Sequence, residues 1–358
     1  MVTVDQLLHT TVYYGGSDLH IKADSPPLVR IHGDLVQLEL EPFTALDTRN
    51  LAFSVLSPGQ RARFDDELEL DFAYEIPGLA RFRGNVYQQR GAVGAVFRVI
   101  PLHIQTIEEL KLPWVCKTFA DRPRGLVLVT GPAGSGKSTT QAALINYINE
   151  TYPHHVVTVE DPLEFIHDDK VALINQRELD TDTRTFANAL KFVLRQDPDV
   201  ILIGEMRDLE TIALAITAAE TGHLVFGTLH TTDAVQTVDR IIDVFPPHQQ
   251  QQVRMQMSVN LIGVVSQTLV KRKDGSGRAA AFETLVGIPS VKNLIRENKS
   301  YQVNSLIQTG QRYGMQTLDQ SLSDLYKAGI VRYSDALEKS ANPLEFKALA
   351  GDPPENDD

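Results

Sequence analysis

Gly131, Pro132, Ala133, Gly134, Ser135, Gly136, Lys137 and Ser138 follow the spacing G-x-x-x-x-G-K-[ST] without a gap. That order of residue types suits a chain of phosphates. Glycines let backbone N–H groups turn inward and approach phosphate oxygens that larger side chains would shield. Lys137 brings a positive charge to β- and γ-phosphates, and the Ser138 hydroxyl is a ligand for Mg²⁺. A helix opening at this point adds the positive end of its dipole. The chemistry implied is the binding and cleavage of Mg-ATP.

Cleavage needs acids for metal and water, and three further segments offer ionisable residues after apolar runs. One ends in Glu160-Asp161-Pro162, the next in Gly204-Glu205-Met206-Arg207-Asp208, and the third runs from Gly222-His223 to Leu229-His230. Asp199 precedes the run Val200–Ile203 and Glu205 follows it, which separates them by about 20 Å along a strand. Glu205 is therefore the metal-side carboxylate, reaching Mg²⁺ through water. Glu160 is the candidate for polarising the attacking water, although either acid suits either role. His230, close to Thr228, is a candidate sensor of the γ-phosphate or a structural histidine.

The elements that must position these residues are legible around them. Short apolar runs at Leu126–Val129, Val156–Val159, Val200–Ile203 and Leu224–Phe226 alternate with helical stretches. Runs buried on both faces and separated by helices predict a parallel sheet, whose ligands sit at the carboxyl ends of its strands. A helix is expected over Ser138–Tyr152, ended by Pro153. The first hundred residues read as mixed strand and helix. A hairpin is expected around Gly33-Asp34, between Leu28–His32 and Val36–Leu40. A second strand pair is expected over Arg81–Ile100, broken by Gly91 and Gly94. The expected organisation is an N-terminal α+β domain over 1–100, a linker over 101–113, an ATPase domain over 114–350 and a disordered acidic tail over 351–358.

Composition narrows the class. The chain has 358 residues and a net charge of -12, with 34 Lys+Arg against 46 Asp+Glu. That balance argues against nucleic acid as a partner, since phosphate-backbone binding needs a basic footprint. One cysteine excludes a disulfide framework. Neither a secretory signal nor a transmembrane run is evident, so a cytoplasmic protein without direct membrane insertion is expected.

Taken together, the motifs resemble those of the secretion ATPases of the type II/type IV pilus superfamily. Gly131–Thr139 corresponds to the Walker A motif, with Thr139 added to the nucleotide contacts. Val159–Phe165 is similar to the Asp box, Gly204–Asp208 to the atypical Walker B motif, and Thr221–Thr232 to the His box. Asn293-Leu294-Ile295-Arg296-Glu297 matches the end of the retraction motors' AIRNLIRE motif, with Ser290-Val291-Lys292 in place of Ala-Ile-Arg. Gly314–Leu322 also looks like the retraction group.

The resemblance implies a homohexamer of RecA-like P-loop domains, each preceded by a smaller PAS-like α+β domain. It further implies ATP and Mg²⁺ as cofactors and an inner-membrane pilus platform protein as partner. The ring would lie in the cytoplasm, peripheral to the membrane, and drive type IV pilus retraction. The rival reading is a pilus-assembly or type II secretion ATPase. Arginines of the first domain reach the phosphates in such proteins, and Arg81, Arg83, Arg90 and Arg98 lie in the matching segment.

Overall fold

The computed structural model describes residues 2–31, 33–100 and 103–351. Among these residues the chain is an α/β protein with two sheets, and it divides into two compact units. One comprises the residues up to His103 together with Pro162–Ile166. The other comprises Ile104–Asp161 and the residues from His167 onward. The expected tail lies, from residue 352, outside the described residues.

The first unit is built on an antiparallel sheet. Its strands are β1 (Asp18–Ile21), β2 (Leu28–Ile31), β3 (Asp34–Gln37), β4 (Glu69–Ile76), β5 (Ala80–Gln89) and β6 (Ala92–Ile100), in the order β3-β2-β1-β6-β5-β4. Along β5 the buried residues alternate: Ala80, Phe82, Gly84 and Val86 face the core, while Arg81, Arg83 and Asn85 face away. That is the period-2 pattern of a strand with one covered face. The helix Val4–Tyr13 begins with a reciprocal cap between Thr3 and Gln6, and buries Val4, Leu7 and Leu8.

Two local expectations shift. Asp34 pairs with Ile31 as the first residue of β3, so it belongs to the strand rather than to the turn, and β3 stops at Gln37. Gly94 does not break its strand. It sits inside β6 opposite Tyr87, where an added Cβ would meet the tyrosine ring at 2.7 Å. The tyrosine ring takes up the space that a side chain there would need.

The second unit carries β7 (Gly125–Thr130), β8 (His155–Glu160), β9 (Leu173–Glu178), β10 (Val200–Ile203), β11 (Leu224–Leu229), β12 (Leu261–Lys271) and β13 (Arg278–Val286). Their order is β13-β12-β7-β11-β10-β8-β9, with every neighbouring pair parallel except β12–β13. Successive residues of β7 feed opposite faces. Leu126 and Leu128 join one core, with Ile212 and Ile216 of the helix Leu209–Glu220 and Val238 and Ile241 of the helix Ala234–Asp243. Val127 and Val129 join the other, with Leu144 and Ile148 of the helix Lys137–Thr151. A sheet covered on both sides explains why its central strands are continuous apolar runs rather than alternating ones.

Part of the segment expected to be a linker is packed. Ile107 and Leu112 are buried with Val115, Cys116 and Phe119 against the second core. Around Glu108-Glu109 the chain forms a turn, with Thr106 and Glu109 exchanging side-chain-to-backbone hydrogen bonds of 2.8 and 3.2 Å. Cys116 is fully buried, and burial pushes its thiol up to about 12. Among the described residues no helix is long and apolar enough to cross a membrane.

One buried acid makes stability depend on pH. Glu283 on β13 is 7% exposed, and its Oε1 accepts the Ala234 N–H at 2.7 Å. Burial pushes its carboxyl up to about 7, against the pull of that hydrogen bond and with help from Asp233, Asp319 and Glu345. The native state therefore keeps a proton that the unfolded chain loses near 4.5, so stability falls as pH rises between those values. The loss is about 3 kcal/mol at pH 8 relative to pH 5. Glu283→Gln imitates the protonated acid. It is expected to raise the melting temperature at pH 8 and to leave it unchanged at pH 5, as thermal denaturation at the two pH values will show.

Candidate active site

The site is assembled at the carboxyl ends of four parallel strands. In β7 and β11, Thr130 stands level with Leu229; in β8, β10 and β11, Val159, Ile203 and Gly227 are level. The residues that follow each strand are therefore delivered to one edge: the Gly131–Ser138 loop after β7, Gly204-Glu205 after β10 and His230 after β11. Glu160 closes β8 itself.

The loop's glycines answer to its shape. Gly131 has φ 143°, and a Cβ there would lie 2.3 Å from the Gln267 carbonyl oxygen; Gly136 has φ 89° and caps the helix Lys137–Thr151. A helix N-terminus approached this way directs its first N–H groups and the positive end of its dipole outward, the arrangement that favours an anion. Lys137 Nζ donates to the Gly131 and Pro132 carbonyls at 2.7 and 3.0 Å. Ser135 Oγ is buried and makes no hydrogen bond. Ser138 and Thr139 occupy the first turn of the helix and are half-buried.

A chain of polar groups runs from the loop to the acids. His230 Nδ1 lies 3.5 Å from Lys137 Nζ, and its Nε2 lies 3.1 Å from Glu205 Oε1. Because an ammonium can only donate, this geometry assigns Nδ1 as acceptor and Nε2–H as donor to the carboxylate. The other Glu205 oxygen accepts from Arg207 at 2.7 Å. Burial alone would raise the Glu205 carboxyl, but Arg207 and then His230 pull it below its ordinary value. Glu205 is thus held as an anion between two donors.

Backbone contacts fix that anion beside Glu160. The Gly204 N–H donates to the Val159 carbonyl at 2.8 Å, and the Met206 N–H donates to the Thr228 carbonyl at 3.0 Å. A Cβ on Gly204 would stand 3.1 Å from Glu160 Cα, so the two acidic segments touch through backbone. Glu160 Oε1 accepts the Thr158 hydroxyl at 2.7 Å. Asp199 stays at the opposite edge, where its carboxylate accepts the His155 N–H at 2.8 Å.

Other residues in and beside these motifs are structural. Asp208 accepts the Thr211 N–H at 2.8 Å and Asp233 the Gln236 N–H at 2.8 Å, each capping the helix that follows. His223 lies just before β11, with Nδ1 2.9 Å from the Ala218 carbonyl oxygen.

The four arginines sit in the first unit. Arg83 and Arg98 face each other across β5 and β6, and Arg81 is two residues before Arg83. Arg98 Nε is 2.9 Å from the buried carboxylate of Asp18, and Arg83 is 3.9 Å from Asp71. Arg90 has φ 50° in the tight turn between β5 and β6, about 20 Å along the strand from Arg83. The four do not form one cluster.

Residues 106–328 match the model of the type II/IV secretion system protein family. The chain belongs to that family. It is 51% identical over 343 residues to PilT, a type IV pilus retraction ATPase of Pseudomonas aeruginosa, covering 96% of this chain and 99% of that protein. A twitching motility protein of Neisseria gonorrhoeae is 54% identical over 316 residues, 88% of this chain and 84% of the relative. The crystal structure of the pilus retraction motor PilT with bound ADP is similar at a TM-score of 0.91 and 45% identity, covering 97% of this chain and 100% of that one. The matched stretch, residues 106–328, includes the Gly131–Ser138 loop, Glu160, Glu205 and His230 on the sheet edge described above.

Proposed function

We propose that this chain is the ATP-hydrolysing subunit of a pilus-retraction motor. The observation that carries the reading is the meeting of the Gly131–Ser138 loop, Lys137, Glu160 and Glu205 at one sheet edge. It occurs in a chain 51% identical to PilT across 96% of its length.

The residues fit Mg-ATP. Loop N–H groups and the buried, unpartnered Ser135 hydroxyl suit phosphate oxygens. Ser138 and, through water, Glu205 would hold Mg²⁺, whose chemistry here is to neutralise charge on the phosphates. No group of three metal-binding acids, histidines or cysteines occurs among the described residues. Lys137 places its ammonium at the loop, Glu205 fixes His230, and Glu160 orients the attacking water. Further parts of the proposal are a homohexameric ring, an inner-membrane platform protein as partner, and a place at the cytoplasmic side of that membrane.

Deletion of the gene tests the output: surface pili should accumulate while twitching stops. A bald strain would identify an assembly motor instead. The helix Pro289–Arg296 sharpens the test. It buries Val291 and Ile295, while Arg296 is exposed and touches Asn293. Arg296→Ala is expected to leave ATP turnover within about twofold, as surface changes usually do, yet to reduce twitching. Equal loss of both would show that the helix serves assembly rather than output.

A further inference from the structure

The phosphate loop is braced by a residue outside every motif named above. Gln267 lies on β12, which runs parallel to β7 with Ser266 level with Thr130. It is 4% exposed. Its Nε2 donates to the Ser135 carbonyl at 2.7 Å, on the loop itself. Its Oε1 accepts the Thr140 hydroxyl at 2.8 Å, on the first turn of the helix Lys137–Thr151. The same Nε2 would stand 3.1 Å from a Cβ on Gly136, and the Gln267 backbone carbonyl faces Gly131. One residue therefore meets the loop at its start, its crest and its exit. One step earlier, Thr130 and Ser266 join hydroxyls at 2.7 Å.

A buried amide with one donor bond and one acceptor bond made is a costly thing to disturb, because losing it strands the Ser135 carbonyl. Phosphate binding by a loop depends on N–H groups that are already aimed, since ordering them on arrival would be charged against affinity. We propose that Gln267 is a positioning residue for the phosphates, holding the Gly131–Ser138 backbone in the conformation seen here from the neighbouring strand. This rests on the nucleotide-hydrolysing function above. The contact acts on bound and reacting nucleotide alike, so its loss should raise KM and Kd together and spare kcat.

The experiment measures Mg-ADP binding, ATP turnover and nucleotide-free melting for the full-length chain and for Gln267→Met, Thr140→Val and the double variant. The expected result is a Kd about tenfold weaker for Gln267→Met, with KM following and kcat within about twofold. Thr140→Val should weaken binding about threefold, and the double variant should be no worse than Gln267→Met, since both remove one arrangement. A folded Gln267→Met with the parent Kd overturns the inference. Should that variant not fold, a parent Kd in Thr140→Val overturns it equally. A lower melting temperature with unchanged Kd would mark a packing role only, and also overturns it. If the parent chain itself took up no Mg-ADP, the functional reading would fail instead.

Discussion

Lys137→Ala is expected to lower ATP turnover by at least about 10²–10³-fold, the range seen when one hydrogen-bond donor aimed at a reacting group is removed from a preorganised site. The side chain reaches over the loop to two of its carbonyls, and lies against His230 on its other side. It contributes little to the core, because its contacts are with the loop and with a half-exposed histidine. The variant should therefore melt near the parent temperature while phosphate release collapses. A Lys137→Ala chain that turned over ATP normally would falsify the assignment of this loop as the catalytic centre.

The second large effect separates the two acids. Glu205 is pinned between Arg207 and His230, and its carboxyl is held below the ordinary range. A carboxylate stabilised in that way is a weak base and a good anchor for positive charge. Glu160 accepts the Thr158 hydroxyl and stands at the end of its strand, beside the turn that carries Glu205. Glu160→Gln is accordingly expected to cut kcat by about 10²–10³-fold with Mg-ADP affinity within threefold, as for loss of a group acting on the water. Glu205→Gln should cut kcat and also weaken the Mg²⁺ dependence of binding, since it removes charge rather than a base. Steady-state kinetics and a Mg²⁺ titration of nucleotide binding compare them. The opposite pattern would exchange the two roles.

Much of this site is legible in the residue pattern alone. The phosphate loop has a fixed spacing, and the strands around it are apolar on both faces, so their polar carboxyl ends stand out. Glu160, Glu205 and His230 are found by that contrast, and the placement of Asp199 at the far edge follows from strand length. What escapes is whatever depends on pairing between distant segments. The strands β9, β12 and β13 are harder to see because Gln, Ser, Thr or Arg interrupts their apolar pattern. Gln267 carries no sequence signal at all: an amide within a strand looks like any solvent-facing residue until β12 is laid beside β7. Nor does sequence divide the work of the arginines. Arg98 is committed to Asp18, eighty residues away in the chain. The buried Ile107 and Leu112 likewise reveal only on packing that the expected linker is partly core.

The sealed thiol of Cys116 has a practical consequence. With no other cysteine in the chain and this one inaccessible, maleimide dyes have no native target on the folded protein. A single cysteine introduced at an exposed position such as Tyr301 or Leu344, 70% and 80% exposed, becomes a unique attachment point. Fluorophores or spin labels placed there would let nucleotide-driven rearrangements be timed in an otherwise unaltered polypeptide.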